Sequence, residues 1–190
     1  MRLFATLMAC AMVAACSSPA QKPEGNEAAS NAVAAPQADL AAGTPQHLAK
    51  VPLLVRHGDG AADTRLSIEI ALTPQEQEHG LMHRTDLKPG EGMVFPMLPA
   101  RMPNFWMKGT PTPLDLIFVR TDGSIERIAH GKPDDLTPLF VEIPVAGVLE
   151  LRGGDAKRLG IEEGDRVFWG PCTAATNTRA FSQAENFCPN

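Results

Sequence analysis

The chain of 190 residues carries 22 acidic and 17 basic side chains, which gives a formal net charge of −5 at pH 7. A protein that binds nucleic acid needs a basic face to neutralise phosphates, so this charge argues against a nucleic-acid partner. Beyond the N-terminal segment, no apolar run approaches the length of about 20 residues that a membrane-spanning helix requires.

The N-terminus has the pattern of a secretory signal. Arg2 precedes an apolar run over residues 3–13, which is too short to span a bilayer, and two alanines then lead directly to Cys16. A cysteine after small residues resembles the lipobox of bacterial lipoproteins, in which the cysteine becomes the acylated N-terminus. We therefore predict a signal peptide over residues 1–15 and lipidation of Cys16. The alternative is an ordinary signal peptide that is cleaved elsewhere.

The residues after Cys16 predict a location and a linker. In such lipoproteins an aspartate after the cysteine favours the inner membrane, whereas this chain has Ser17. We therefore expect attachment to the periplasmic face of the outer membrane. Residues 17–50 contain ten Ala, four Pro and no aromatic residue. Such a composition cannot bury enough apolar surface to offset its ordering entropy, so residues 16–50 are predicted to be a disordered linker.

The remaining residues, 51–190, have the length of one domain and predict mostly strands. Residues 66–72 alternate apolar with small or polar side chains, as in a half-buried strand. Asp122-Gly123 between two β-rich runs predicts a hairpin. Further strands are expected at residues 51–56, 93–95, 116–119, 124–128, 146–151 and 166–169. About eight short strands and two short helices predict a mostly β class, a sandwich or a partly closed barrel.

The two helices are predicted from their end signals. Thr73 can cap a helix, a proline follows it at the first helical position, and Glu76 completes a capping box. Gly80 either ends this helix or lies inside it. The second helix is one turn over residues 155–159, which the following glycine stops.

The stretch from residue 104 to 115 has an unusual composition. It runs from an aromatic pair through Met107 and Lys108 into a proline-rich turn, and Asp115 then opens an apolar run. Trp and Lys seldom lie side by side in a plain strand, because one favours burial and the other water. We therefore predict a strand, a tight bend and a second strand, with both charges near the bend.

Seven short pieces stand in a fixed order along this domain. They are Gly80-Leu81-Met82 with Arg84; Gly92-Met93-Val94-Phe95; Phe105-Trp106-Met107-Lys108 with Thr110; Pro113-Leu114-Asp115; Asp122-Gly123; Val148-Leu149-Glu150; and Gly160-Ile161 with Gly164-Asp165. Together they resemble domain-of-unknown-function family 192 of bacteria and archaea, over residues 66–169, with a tail over 170–190. The resemblance implies a compact jelly-roll-like β domain and no assigned activity. The family usually has Lys-Asn-Thr where this chain has Gly109 in the middle.

The polar and aromatic members of these pieces are the candidate ligand site. They are Arg84, Trp106, Met107, Lys108, Asp115 and Glu150. Charged groups that converge beside Trp106 as a polar patch in a cleft would have a composition common in ligand sites. The alternative is that the charges pair with one another or cap loop carbonyls and so hold turns in place.

A copper-handling role is the second hypothesis. Five methionines fall within 26 residues, and His79 and His83 are four apart, so on a continuous helix they would share a face. Thioethers suit Cu(I) and imidazoles suit several metals, which makes His79, Met82 and His83 the weak metal candidates. Against this, methionine commonly fills gaps in cores.

Enzyme motifs are not found in the sequence. There is no Gly-x-Ser-x-Gly, no His-Glu-x-x-His and no phosphate-binding glycine loop with lysine, so we assign no catalytic residue and predict no cofactor. The favoured hypothesis is a lipid-anchored domain that binds a small ligand or an envelope component beside Trp106. A structural module of an envelope complex is a third hypothesis.

Two cysteines remain in the C-terminal tail, Cys172 and Cys188. Because the predicted compartment is oxidising, we expect a disulfide between them that ties the tail to the domain edge. Two separate thiols are the alternative.

The mature protein should begin at Cys16 and fractionate with membranes. Cys16→Ser should release or mislocalise it, because each buried CH2 of an acyl chain contributes roughly 0.8 kcal/mol to anchoring and the variant would carry none. Intact mass spectrometry of the membrane fraction is the measurement. A mature form without acyl mass would contradict lipidation.

Overall fold

The computed structural model of the protein describes residues 43–173 and 184–189. The predicted signal peptide, Cys16 and most of the predicted linker lie outside these residues. Within the described ranges, no helix has both the length and the apolar character needed to cross a membrane.

Short strands are the main regular elements of the described chain. The nine strands are β1 (Lys50–Arg56), β2 (Thr64–Ile70), β3 (Gly92–Arg101), β4 (Asn104–Phe105), β5 (Leu114–Val119), β6 (Ile125–Gly131), β7 (Leu139–Phe140), β8 (Val145–Arg152) and β9 (Arg166–Trp169). Two short helices, α1 (Pro74–His79) and α2 (Asp155–Arg158), accompany them. The predicted mostly β class is confirmed.

Seven of these strands form one sheet in the order β6-β5-β8-β3-β2-β1-β9, and β4 pairs with β7 separately. All neighbours are antiparallel except β2 and β3, which are parallel. The two edges of the large sheet meet, because Ser124 forms an isolated bridge with Arg166 and the Ile125 amide donates to the Asp165 carbonyl at 2.7 Å. The sheet therefore curls into a partly closed barrel, as predicted.

The central strands are buried on both faces, so their side chains alternate between two cores. In β3, Val94 joins an inner cluster, whereas Met93 and Phe95 join an outer cluster. In β8, Leu149 joins the inner cluster and Val148 the outer one. The inner cluster fills the curled sheet. The outer cluster lies under other elements. Leu81 comes from the segment after α1, Phe105 from β4, Met107 from the turn after β4 and Leu139 from β7.

The helix signals formed as predicted. The Thr73 hydroxyl accepts from the Glu76 amide at 3.2 Å, and the Glu76 carboxylate accepts from the Thr73 amide at 2.8 Å, which is the complete capping box. Gly80 ends the helix with a positive φ of 51°, and a side chain there would approach the Phe95 ring at 3.3 Å. The chain therefore turns at Gly80 and directs Leu81 into the outer cluster.

Some strand boundaries differ from the predictions. The strand expected at residues 93–95 extends to ten residues as β3, although it contains Pro96 and Pro99. Its register with β8 shifts between Pro96 and Arg101, which shows that the far end pairs irregularly. The strand β4 lies at the start of the stretch from residue 104 to 115, where a strand before the bend is predicted, but it is only two residues long. The two-residue strand β7 was not predicted, because a run of that length has no periodicity to detect.

The C-terminal tail is attached at β9. Cys172 and Cys188 form the predicted disulfide, with their Cα atoms 6.2 Å apart. Phe187 exchanges backbone hydrogen bonds with Trp169 and stacks on its indole ring, with the ring centroids 4.2 Å apart. The tail therefore covers one end of the inner cluster, to which Trp169 belongs.

Removal of this disulfide should lower stability without changing the fold. The sequence separation of 16 residues predicts a loss of about 3 kcal/mol on the chain-entropy model for the Cys172→Ser/Cys188→Ser double variant. Denaturant melts of the parent in the presence of a reductant are the measurement. The same melts without the reductant are the matched control. Identical melts under both conditions would show that the disulfide does not constrain the unfolded chain.

Candidate functional site

A cavity of about 260 Å³ lies on the outer face of the sheet. One wall is residues 77–82, where α1 ends, and another is the far end of β3 with the residues that lead into β4. The turn at Lys108 and Thr110 forms a third wall. The only contribution from the central strands β5 and β8 is Glu150, from the middle of β8. The cavity thus reaches through the outer covering to the sheet itself.

Glu150 is a buried carboxyl group in apolar surroundings. It lies opposite Met93 on β3 and Leu116 on β5, both fully buried members of the outer cluster. Only 5% of Glu150 is exposed, and within the described chain no hydrogen bond or ion pair reaches its side chain. Burial raises the pKa of Glu150 to about 8, so at neutral pH the group is mostly protonated.

The other buried carboxylates are all paired. Glu69 accepts from the Arg84 guanidinium at 3.0 Å and from the Leu48 amide at 2.7 Å. Asp155 accepts from the Gly90 amide at 2.6 Å and from the Arg158 guanidinium at 2.7 Å. Asp115 and Asp165 each have two or more partners as well. Glu150 is therefore the exception among the five buried carboxylates of the described residues.

Trp106 and Lys108 line the mouth of the cavity. Between them, Met107 is 1% exposed and packs in the outer cluster, while its amide donates to the Asp135 carbonyl at 2.9 Å. Because Met107 is buried in the outer cluster, its neighbours Trp106 and Lys108 face outward, and Trp106 is 54% exposed. The Lys108 ammonium is exposed and has no hydrogen bond or ion pair with another described residue.

The departure from the family pattern at Gly109 has a conformational explanation. Gly109 has a φ of +63°, in the left-handed region, which glycine and asparagine adopt more readily than other residues. A Cβ there would meet His83 at 3.4 Å and the Met82 sulfur at 3.7 Å, which are tolerable contacts. Both glycine, as in this chain, and asparagine, as is usual in the family, can therefore form this turn.

The structure separates Arg84 and Asp115 from the cavity. Arg84 is buried and donates to Glu69, to Asp86 at 2.7 Å and to the Gln46 carbonyl at 3.0 Å. Asp115 accepts from His130 at 2.8 Å and from the first-turn amide of α2 at 2.9 Å. Of the six predicted site residues, Trp106, Lys108 and Glu150 therefore come together at the cavity, and Arg84, Met107 and Asp115 brace the surrounding fold.

The metal candidates lie at the same cavity but not on one helix face. Because α1 ends at His79, the helical spacing to His83 does not apply, yet the two rings lie 6.0 Å apart. His79 and Met82 line the cavity, and the His79 Nε2 atom is buried without a hydrogen-bond partner in the described structure. Residues 43–173 and 184–189, which the structure describes, include no cluster of three His, Cys, Asp or Glu side chains suited to a metal ion.

Several cavity residues were not predicted, because they belong to the irregular end of β3 and the residues after it. Met97 and Met102 line the cavity, and Arg101 does so while donating to the Gln77 side chain at 2.8 Å. Met102 also borders a shallow apolar depression that continues to Phe140. No element was predicted for the proline-containing residues 96–103, and only the methionine density drew attention to them.

A second polar cluster has the atom types of a hydrolytic triad. His57 joins the Asp165 carboxylate and the Thr64 hydroxyl, each at 2.9 Å. The same carboxylate also accepts from the amides of Gly58 and Glu162. These bonds tie the end of β1 to the start of β2 and to the turn before β9, so the cluster is a structural clamp.

Comparisons with known proteins find a family and two solved structures. The model of domain-of-unknown-function family 192, described as Uncharacterized ACR, matches residues 55–169, more than half of the chain. A protein of unknown function from Novosphingobium aromaticivorans DSM 12444 is 43% identical, with a TM-score of 0.60 over 65% of this chain and 91% of that one. A protein described as a candidate transcription regulator from Sinorhizobium meliloti 1021 is 36% identical, with a TM-score of 0.61 over 65% of this chain and 96% of that one. No curated protein matches.

Glu150→Gln should change how stability depends on pH. The folded-state pKa of Glu150 is raised to about 8, whereas a glutamate in the unfolded chain titrates near 4.3. Between these values the unfolded state releases a proton that the folded state keeps, so the parent loses stability as pH rises, by up to about 1.4 kcal/mol per unit. Glutamine cannot ionise and should not show this loss.

The measurement is a series of urea melts between about pH 5 and pH 9. The difference in unfolding free energy between Glu150→Gln and the parent should widen up to about pH 8 and then stay constant. Glu162→Gln, at an exposed position, is the matched control and should follow the parent. Parallel profiles for the parent and Glu150→Gln would contradict the assigned burial of this carboxyl.

Proposed function

Since this chain belongs to domain-of-unknown-function family 192, we propose its function from the cavity and not from a known relative. The domain binds a small ligand, or an exposed part of an envelope component, in the cavity beside Trp106. In this proposal Glu150 contacts the buried end of the ligand, Trp106 covers it and Lys108 lies at the mouth.

The observation that carries the proposal is the unpaired Glu150. An isolated buried carboxyl group lowers stability, and proteins normally pair such groups, as this one does at Glu69, Asp115, Asp155 and Asp165. A perturbed, unpaired group that faces a cavity is typical of a functional site, where polar groups are kept at some expense of stability. A ligand that contacts Glu150 would supply the missing partner.

The pieces that carry the family resemblance support the same location. Four of the seven contribute to the cavity walls. The residues concerned are Gly80, Leu81, Met82, Phe95, Phe105, Trp106, Lys108, Thr110 and Glu150. The remaining three pieces form the bend at Asp115, the hairpin turn at Gly123 and the clamp at Asp165.

We place this binding domain at the periplasmic face of the outer membrane, tethered through Cys16 and the alanine-rich linker. The support is the N-terminal sequence pattern and the Cys172–Cys188 disulfide, which suits an oxidising compartment. The description of the Sinorhizobium protein as a candidate regulator of transcription does not fit this chain well. Its net charge of −5 offers no basic face for DNA.

Copper handling is a second candidate function at the same cavity. The observation that favours it is the buried, unpartnered Nε2 of His79 beside a wall that includes Met82, Met97 and Met102. One imidazole nitrogen with thioether sulfurs is a donor set that suits Cu(I). This candidate uses His79 and the methionines, whereas the ligand hypothesis depends on Glu150 and Trp106.

Trp106 provides a direct test of ligand binding. The chain has two tryptophans and no tyrosine. Trp106 is 54% exposed and Trp169 is 1% exposed. A ligand in the cavity should therefore shift the emission of Trp106 to shorter wavelength and protect it from iodide quenching. A screen of small polar, charged and aromatic compounds, with Cu(I) included, would combine this signal with thermal shift.

Trp106→Phe is the control, because it should remove the fluorescence response and leave the buried Trp169 signal. Compounds that raise the melting temperature without any effect on Trp106 would bind elsewhere and contradict the proposed site. A response to Cu(I) alone, lost in His79→Gln and retained in Glu150→Gln, would favour the second candidate. A stoichiometric protein that copurifies with the full chain would favour the structural module.

A further inference from the structure

We propose that the ligand carries an ammonium group and that this group binds between the Glu150 carboxylate and the aromatic wall of the cavity. The inference rests on the proposed function and names the chemical class of its ligand. It follows from what the cavity supplies to a bound group and from what it lacks.

The cavity lacks a cation for Glu150. The charged and titratable groups that line it are Glu78 and His79 from α1, Arg101 from β3, Lys108 from the turn after β4, and Glu150 itself. The Arg101 guanidinium donates to the Gln77 side chain, and Lys108 is exposed. Neither forms an ion pair or hydrogen bond with Glu150 among the described residues. The strands beside Glu150 present Met93 and Leu116, which carry no charge. A cationic ligand would therefore supply the counter-charge that no described side chain gives this carboxylate.

The walls favour a cation over an anion or an alcohol. Trp106, Phe105 and Phe95 line the cavity, with the last two in edge-to-face contact at 5.3 Å between centroids. Aromatic faces attract ammonium groups and do so most strongly when water is excluded. The sulfurs of Met82 and Met97 are soft and polarisable, so they tolerate the methylene or methyl groups attached to a nitrogen. An anionic group placed here would instead be repelled by Glu150 whenever this carboxyl group is ionised.

Binding of an ammonium group has a definite proton balance. Burial holds the Glu150 pKa at about 8, so in the free protein at pH 7 the carboxyl keeps its proton. An ammonium ion pairs with the carboxylate form, and the proton leaves to the solvent. Observed affinity should therefore fall by roughly tenfold for each pH unit below about 8 and level off above it. A ligand that accepts a hydrogen bond from the protonated carboxyl would show the opposite dependence.

The test compares choline with 3,3-dimethylbutan-1-ol, its uncharged isostere, and butylammonium with butan-1-ol. Full-length protein is titrated with each compound between about pH 6 and pH 9 while Trp106 emission is followed. Calorimetry in two buffers of different ionisation enthalpy counts the protons released. The choline charge does not change over this range, so any pH dependence belongs to the protein.

We expect choline to bind at least about tenfold more tightly than its isostere above pH 8, with about one proton released near pH 7. Glu150→Gln should remove that preference and the proton release. The comparison with Glu150→Gln assigns the pH dependence to this carboxyl group. Glu162→Gln should behave as the parent, because its side chain is exposed outside the cavity.

Three results would overturn the proposal. They are equal affinity for choline and its isostere, binding that strengthens as pH falls, and an unchanged preference in Glu150→Gln. Each of these leaves the cavity as a binding site for another class of ligand. If none of the four compounds and nothing in the wider screen alters Trp106, the proposed function itself fails together with this inference.

Discussion

Burial on both faces of the central strands is the constraint from which the rest of the domain follows. The strand β8 is buried at seven consecutive positions, Val145 to Leu151, between β5 and β3. The inner face is covered by the curl of the sheet, which the bridge between Ser124 and Arg166 completes. The outer face depends on a separate cover of β4, β7 and the segment after α1. The cavity lies where this cover leaves a gap above Glu150.

A polar group on such a strand must be paired or must have another use. Hydrogen bonds satisfy Glu69, Asp115, Asp155 and Asp165, and each joins parts of the chain that are distant in sequence. They hold the cover and the edges of the barrel in place. Glu150 makes no such connection, and an apolar residue between Met93 and Leu116 would pack there without desolvating a carboxyl group. In the proposed function, a ligand that enters the cavity accounts for its presence.

The fold by itself does not define the activity. The two similar structures share the architecture at 36% and 43% identity, and a shared β architecture is compatible with unrelated functions. The functional argument therefore depends on particular atoms. The ligand and copper hypotheses concern the same walls but different donors, the Glu150 carboxyl in one case and the His79 nitrogen in the other.

Local features of the fold could be predicted because they depend on neighbours in sequence. The capping box at Thr73 and Glu76, the hairpin turn at Gly123 and the last strand over residues 166–169 formed as expected. The far end of β3 could not be predicted, because prolines are uncommon within strands and this part is recognised as a strand through its pairing with β8. The same limit applies to β7, a strand of two residues that is recognisable through its pairing with β4.

The sequence by itself determined the β class and the family resemblance, and it singled out the stretch around Trp106 and Lys108 as part of a candidate ligand site. The sequence could not distinguish Arg84, Asp115 and Glu150, because each is a charged residue in one of the seven pieces that carry the family resemblance. Only the tertiary structure separated them. Arg84 pairs with Glu69, which is 15 residues away in sequence, and Asp115 pairs with His130 at the same separation. Glu150 instead lies between Met93 and Leu116, and no described side chain pairs with it. The pairing of a buried charge is set by groups that other strands bring to it, and a linear pattern does not contain that information.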